Sequence, residues 1–353
     1  MRYKKLSRIT KNEKDVGDME IKKCNECGFI LGTRPNLKDA GGVCTACINQ
    51  KKKKSINYGE RQKWLTEYIK ENKTNERYDC AVAVSGGKDS TVIVRKLFEN
   101  HGVKKALLIN LTEEFTHTCT GKHNLDNLVK RYNCDLITFR INPDELASHM
   151  KTDFEESLNP LKWLEEQIYI LPLDIAKMHN IKLVFYGENA EFEYGSSETL
   201  EIFHRESSEH LKVIYMGAIY AYEALDWYQE AKEVGFLDLN YYNEWQRQGQ
   251  IENFSQIDSI GYNMGVWTKF VKFGFQRVSD MACRYVRCGV LTYEQAQQYI
   301  KDMDYICDPA SKKDFCRTIG ITEEHFNKIV DKHANKEIVV KDPNGQWRRK
   351  DMI

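Results

Sequence analysis

From residue 58 onward the chain alternates between two patterns of apolar and polar positions. Short apolar runs at 79–84, 105–111, 135–141 and 182–186 have the length of strands buried on both faces. An amphipathic stretch at 60–70 precedes the first run, and stretches with helical period at 90–100, 124–132 and 161–179 separate the runs or follow them. Strands alternating with helices predict βαβ units and a mainly parallel sheet, an α/β fold. Beyond about Ser196 the pattern turns helical and aromatic, and 215–234 reads as one helix. Thr292 with Gln295 three positions on, and Thr322 before Glu323, carry helix N-cap signatures. Residues 241–254 follow neither period, and the chain has no internal repeat.

Ahead of this region, residues 1–20 are charged and aperiodic, as expected of a loosely docked arm. Residues 21–50 hold little that could form an apolar core. They do hold Cys24, Cys27, Cys44 and Cys47, two C-x-x-C pairs sixteen residues apart, with Gly28, Gly41 and Gly42 easing the turns. Each pair can supply one side of a tetrahedral Zn²⁺ site, and a closed four-thiolate site is structural because no coordination position is left open. Lys51 to Lys54 then read as a basic linker. The expected domains are 1–57, an arm plus zinc module; 58–225, the parallel-sheet domain; and 226–353, a mainly helical region for substrate or partner.

Charge narrows the function. The 353 residues carry 52 Lys plus Arg against 52 Asp plus Glu, so no global field draws the chain to nucleic acid or an anionic membrane. Small-molecule chemistry is the expectation. No apolar run reaches membrane-spanning length and the N-terminus lacks an apolar signal core, which predicts a cytoplasmic protein. The eleven cysteines then read as thiols, metal ligands or core residues.

The sharpest motif is Ser85-Gly86-Gly87-Lys88-Asp89-Ser90, directly after the first strand and directly before a helix. Two glycines let backbone approach an anion, and the helix start offers unpaired N–H groups and the positive end of its dipole. Ser85 and Ser90 add hydroxyls, Lys88 a positive charge and Asp89 an oxygen ligand suited to Mg²⁺. Neither G-x-x-x-x-G-K-[ST] nor G-x-G-x-x-G is present. At these residues the chain resembles the PP-loop ATP pyrophosphatase superfamily. That resemblance implies that the loop holds the pyrophosphate of ATP while a substrate oxygen attacks the α-phosphorus, and that adenine is read near Asn110. Glu188 and Asn189, at the carboxyl end of the fourth strand, stand where open α/β sheets bind ligands.

A closer resemblance is to the N-acetyl sugar amidotransferases of surface-polysaccharide and nonulosonic-acid biosynthesis. Its residues are Gly42-Val43-Cys44 to Cys47 with Ile56-Asn57 and Arg61, the loop at 84–90, Gly121 with 124–128, Asn142-Pro143-Asp144, 185–189 with Glu191 and Glu193-Tyr194-Gly195, Lys272-Phe273-Gly274 with Arg277, and 291–296. The chain departs from the family pattern at Ala190, Ser196, Phe275 or Gln276, and Tyr293, which bears on substrate choice. The resemblance implies that an acetamido group on a nucleotide-activated sugar becomes an acetamidino group at the expense of ATP and Mg²⁺. Ser85, Lys88, Asp89 and Glu188 would carry the catalysis, and Asn189, Glu191, Lys272 and Arg277 would join Glu188 at the substrate. Residue 2 is Arg and no glutaminase elbow is visible; the resemblance implies separate glutaminase and cyclase-like subunits that supply ammonia. Two rivals stand beside this reading: a PP-loop tRNA or small-molecule thiolase using Cys119, placed in a polar loop, and a nucleotide-binding module without catalysis.

Overall fold

The computed structural model describes residues 21–73 and 77–353, so the expected arm at 1–20 lies outside the described residues. Helices α1 (Thr45–Lys53) and α2 (Tyr58–Asn72) lead to β1 (Cys80–Ala83), followed by α3 (Lys88–Asn100), β2 (Ala106–Thr112), α4 (Cys119–Tyr132), β3 (Asp135–Arg140), α5 (Pro143–Ser157), α6 (Lys162–Met178) and β4 (Leu183–Tyr186). All four expected strands form.

After β4 the chain differs from the expected single helix at 215–234. A one-turn helix α7 (Ala190–Glu193) and a fifth strand β5 (Lys212–Tyr215) come first, and the rest splits into α8 (Met216–Ile219) and α9 (Ala224–Glu233). The break has a physical reason. Tyr220 runs extended, which lets the Tyr220 hydroxyl meet His101 at 2.9 Å and the Tyr222 hydroxyl meet Lys88 at 3.0 Å. A continuous helix would forfeit both buried contacts.

The five strands are parallel and ordered β3-β2-β1-β4-β5. Alternation along the central strands serves two cores, as a sheet covered on both faces requires. Cys80, Val82, Leu183 and Phe185 join Leu65, Ile69, Leu97 and Trp227 on one face, while Ala81, Leu107 and Val184 meet Leu173 and Ala176 of α6 on the other. Strand order reverses beside β1, whose neighbours lead in opposite directions, so a crevice opens at the carboxyl ends of β1 and β4. Ser85 and Glu188 both lie at that crevice.

A short turn α10 (Leu239–Tyr242) interrupts the irregular stretch, and helices α11 (Asn263–Phe273), α12 (Arg277–Arg287), α13 (Tyr293–Met303), α14 (Pro309–Ile319) and α15 (Glu323–His333) complete the helical region, followed by an antiparallel ribbon of β6 (Val339–Lys341) and β7 (Trp347–Arg349). Thr292 and Gln295 form the expected capping box, and Thr322 caps α15. Helix α12 borrows its cap: buried Asp304 accepts from the Gln276 and Ser279 backbone N–H groups. Among the described residues no helix is long and apolar enough to cross a membrane.

The cysteine segment is not the coreless appendage its composition suggests. Phe29, Ile30 and Leu31 are buried in the same core as Phe154, Phe270, Phe275 and Phe315, with Phe29 and Phe275 ring centroids 4.9 Å apart. Three elements meet at Phe154 of α5, which stacks on Phe326 of α15 at 5.1 Å and lies edge-on to Phe315 of α14 at 5.3 Å. Phe154→Ala should therefore cost about 3–5 kcal/mol, read from urea unfolding. A loss under about 1 kcal/mol would show that this core collapses to refill the space.

Candidate active site

The chain passes from β1 to α3 through Val84 to Gly87. Gly86 has φ +83°, and a Cβ there would stand 2.7 Å from the Gly121 carbonyl oxygen, so both conformation and space demand glycine. Gly87 is the N-cap of α3 and offers no side-chain acceptor to the first-turn N–H groups, which leaves those donors for an anion. Ser90 and Thr91 hydroxyls tie down the Gly87 carbonyl at 3.0 and 3.1 Å. Lys88 is buried, its Nζ 2.8 Å from both Asp89 oxygens and 3.0 Å from the Tyr222 hydroxyl. The loop therefore holds its own cation and carboxylate in place.

Strand β4 delivers Glu188 against this loop. A Cβ at Gly187 would lie 3.4 Å from the Cβ of Asp89, so a bare residue there lets the strand end approach the loop aspartate. Asp89 and the residue after Gly187 are carboxylates, hard oxygen donors of the kind Mg²⁺ takes.

Two cavities adjoin this point. The smaller, about 210 Å³, has Ser85 and Asp89 at one side and Ile109, Leu111, Ile168 and Tyr186 as apolar walls. Asn110, expected to read adenine, turns the other way. Strand alternation sends Ile109 and Leu111 into the cavity and Asn110 toward β1, where its Nδ2 donates to the Val84 carbonyl at 2.9 Å. Asp258 also lines this cavity, its carboxyl pushed up to about 7 by burial and then by the nearby Glu113.

The larger cavity, about 500 Å³, is lined by Arg34, Glu188, Lys272, Phe275, Arg277 and Asp280 among others. Three expected substrate residues, Glu188, Lys272 and Arg277, thus share one wall system. Burial and the neighbouring Lys269 lower Lys272 to about 8. Arg277 donates to the Tyr194 hydroxyl at 2.8 Å and pairs with Glu252 at 3.5 Å. Two expected residues lie elsewhere. Asn189 is spent on capping α7, accepting from Phe192 N–H at 3.2 Å, and the Glu191 side chain is exposed.

Arg34 and Arg284 are site residues that sequence reasoning passed over. The Arg34 guanidinium pairs with Asp280 and packs 4.5 Å from the Phe275 ring. Arg284, 3% exposed, reaches Glu188 at 3.2 Å and Glu193 at 3.8 Å. The signal for the second was present: Arg277, Asp280, Arg284 and Arg287 recur at three- and four-residue spacing, one charged stripe on α12.

The segment that carries this stripe is where a comparison decides. Residues 248–351 match a family described as LPS biosynthesis protein WbpG-like, C-terminal domain. These residues, less than a third of the chain, are similar to that family's C-terminal domain. MJ1599 of Methanocaldococcus jannaschii, an uncharacterized protein, is 22% identical over 287 residues, which span 79% of this chain and 93% of that protein. Among solved structures, an NMN synthetase from Francisella tularensis covers 70% of this chain and 92% of its own, at 13% identity and a TM-score of 0.40. An NH3-dependent NAD synthetase from Campylobacter jejuni covers 54% and 78%, at 16% identity and a TM-score of 0.34.

The cysteine module packs onto this WbpG-like domain. The four sulfur atoms lie within 4.8 Å of one another, with Cys24–Cys47 and Cys27–Cys44 both at 3.7 Å. A tetrahedral zinc with bonds of about 2.3 Å sets its sulfurs about 3.8 Å apart, so the cage fits zinc. All four are buried, and Arg287 of α12 reaches the Cys27 sulfur at 3.7 Å. Hydrogen bonds from Cys24, then Cys283, hold the Cys27 thiol well below its ordinary value. The tetralysine is no linker either. Lys51 to Lys53 form the last turn of α1, and Lys53 is buried against Glu193 at 2.8 Å.

Cys119 is exposed at the first position of α4 rather than in a loop, and Glu244 beside it raises its thiol above the usual value. A nucleophile would need the opposite shift. For the cysteine cage, the full chain should contain one zinc per molecule. Cys27→Ser should lose it and lower the melting transition of the whole chain, because Phe29 to Leu31 share the WbpG-like domain's core. Zinc loss with an unchanged transition would contradict that coupling.

Proposed function

We propose that this chain is an ATP-dependent, AMP-forming amidotransferase that converts an acetamido group of a nucleotide-activated sugar into an acetamidino group, in the making of a bacterial surface polysaccharide. The observation that carries this reading is a phosphate loop at the switch point of the sheet that lines one cavity, while Glu188 at the adjoining strand end lines a second. One has apolar walls suited to a nucleobase, and the other has charged and aromatic walls suited to a second substrate. The WbpG-like domain, matched to an LPS biosynthesis family, supplies Lys272 and Arg277 to the second cavity.

An amide oxygen is a poor leaving group, so ammonia attacking the acetamido carbon directly faces a high barrier. Adenylation removes the obstacle. The amide oxygen forms a bond to the α-phosphorus as the bond to pyrophosphate breaks; ammonia then adds at the imidate carbon, and AMP departs with that oxygen. The loop N–H groups and Lys88 hold phosphate charge where it develops. Asp89 and Glu188 would hold Mg²⁺, which supplies further charge neutralisation between nucleotide and substrate. Lys272 and Arg277 orient the sugar nucleotide, Arg277 kept in place by Tyr194 and Glu252. Exclusion of water falls to Ile109, Leu111, Tyr186 and Phe275.

Ammonia comes from separate glutaminase and cyclase-like subunits in this reading. The pure chain should use ammonium but not glutamine, with a rate rising about tenfold per pH unit below the ammonium pKa as free ammonia increases. The product should be lighter than the substrate by the difference between an oxygen atom and an imino group. Asp89→Ala should abolish pyrophosphate release with unchanged circular dichroism. Efficient use of glutamine by the chain alone, or sulfur incorporation from a persulfide, would reject the proposal.

A further inference from the structure

We propose that Arg284 is a positioning residue that holds the Glu188 carboxylate at the wall of the larger cavity, so that the WbpG-like domain completes the nucleotide–metal site of the sheet domain. This rests on the reading of Glu188 as a ligand in that site.

The geometry leaves Arg284 little else to do. Its Nη2 lies 3.2 Å from Glu188 Oε2 and 3.8 Å from Glu193 Oε2, while Nε and Nη1 are buried without a hydrogen-bond acceptor. The guanidinium stands over the rings of Tyr194 at 4.8 Å and Tyr222 at 5.2 Å, which fix its plane without offering a strong acceptor. A buried charge needs a partner, and these two carboxylates are the partners in reach.

They are not equivalent. Glu193 already accepts from Lys53 Nζ at 2.8 Å and its side chain is 4% exposed, so it is held on the far side. The Glu188 side chain is 22% exposed and lines the larger cavity. Glu188 is therefore the carboxylate that can serve a ligand while Arg284 keeps it aimed. Without Arg284, Glu188 would lose the ion pair that sets its direction and would face Glu193 across a partly buried gap. The same arrangement reaches the loop, because Tyr222, under the guanidinium, accepts from Lys88. An outer partner that orients a metal-binding carboxylate usually carries a large share of the affinity.

The test uses the zinc-loaded full chain with Mn²⁺ as the probe, its binding followed by electron paramagnetic resonance in the presence of a non-hydrolysable ATP analogue. Arg284→Gln should raise the Mn²⁺ dissociation constant at least about tenfold, with zinc content retained and a melting transition that is lowered but stays above the assay temperature. Arg284→Lys, which keeps the charge, should recover most of the affinity and fold even where the glutamine variant does not. The Mg²⁺ concentration giving half-maximal pyrophosphate release should shift in parallel. Unchanged Mn²⁺ affinity in Arg284→Gln, or, where that variant does not fold, an Arg284→Lys chain that binds Mn²⁺ no better than Glu188→Gln, would overturn the positioning role. Glu188→Gln separates the two ideas: if it binds Mn²⁺ like the native chain, the reading of Glu188 itself fails; if it loses Mn²⁺ while Arg284→Gln does not, only the role of Arg284 fails.

Discussion

Lys53, Glu193, Arg284 and Glu188 form a chain of alternating charge, with contacts of 2.8, 3.8 and 3.2 Å, where three parts of the protein meet, the first three buried and Glu188 half-buried. Lys53 ends the helix that starts inside the second cysteine pair, Glu193 and Glu188 follow the fourth strand of the sheet, and Arg284 belongs to the WbpG-like domain. Taking such charges out of water is expensive, and their attraction compensates only while all members stay in register. Removing one leaves a buried charge with no partner, which costs more than the pair contributes. The relative placement of cysteine module, sheet and helical domain is therefore set by electrostatics as much as by the shared apolar core around Phe29 and Phe275.

The active-site reading follows from that placement. A parallel sheet with order β3-β2-β1-β4-β5 opens its crevice between β1 and β4 whatever its chemistry. What this chain adds is a loop whose glycines admit an anion, a glycine at 187 that lets the strand end touch Asp89, and a helical domain that walls the far side with Arg277 and Lys272. The cysteine loop contributes Arg34 to the same wall, so the closed thiolate cage supports the cavity as well as the core.

Much of this was legible in the residues. Four strands, the phosphate loop, the cysteine cage and the caps at Thr292 and Thr322 rest on local signals: apolar runs, glycine spacing and thiol spacing. The fifth strand was not legible, because Lys212 to Tyr215 is four residues long and runs straight into apolar positions that continue a helical period. Asn110, Asn189 and Glu191 sit beside residues that do reach a cavity or the charge chain, and a one-position difference in a strand or a single helical turn reverses where a side chain points. Arg34 and Arg284 reach the site from segments far away in sequence, and only the tertiary packing brings them there. Lys53 looked like a solvated linker charge because its partner, Glu193, lies 140 positions away.

The central claim is that the acetamido oxygen leaves on AMP. Its most direct measurement is oxygen-18 transfer: the sugar substrate, labelled at the acetamido oxygen, is incubated with the enzyme, Mg-ATP and ammonium, and the AMP and pyrophosphate are weighed by mass spectrometry. The account predicts one labelled oxygen in AMP for each acetamidino sugar formed, and none in pyrophosphate. Unlabelled AMP alongside acetamidino product, or label found in water, would show that the oxygen departs by another route and would contradict adenylation at this site.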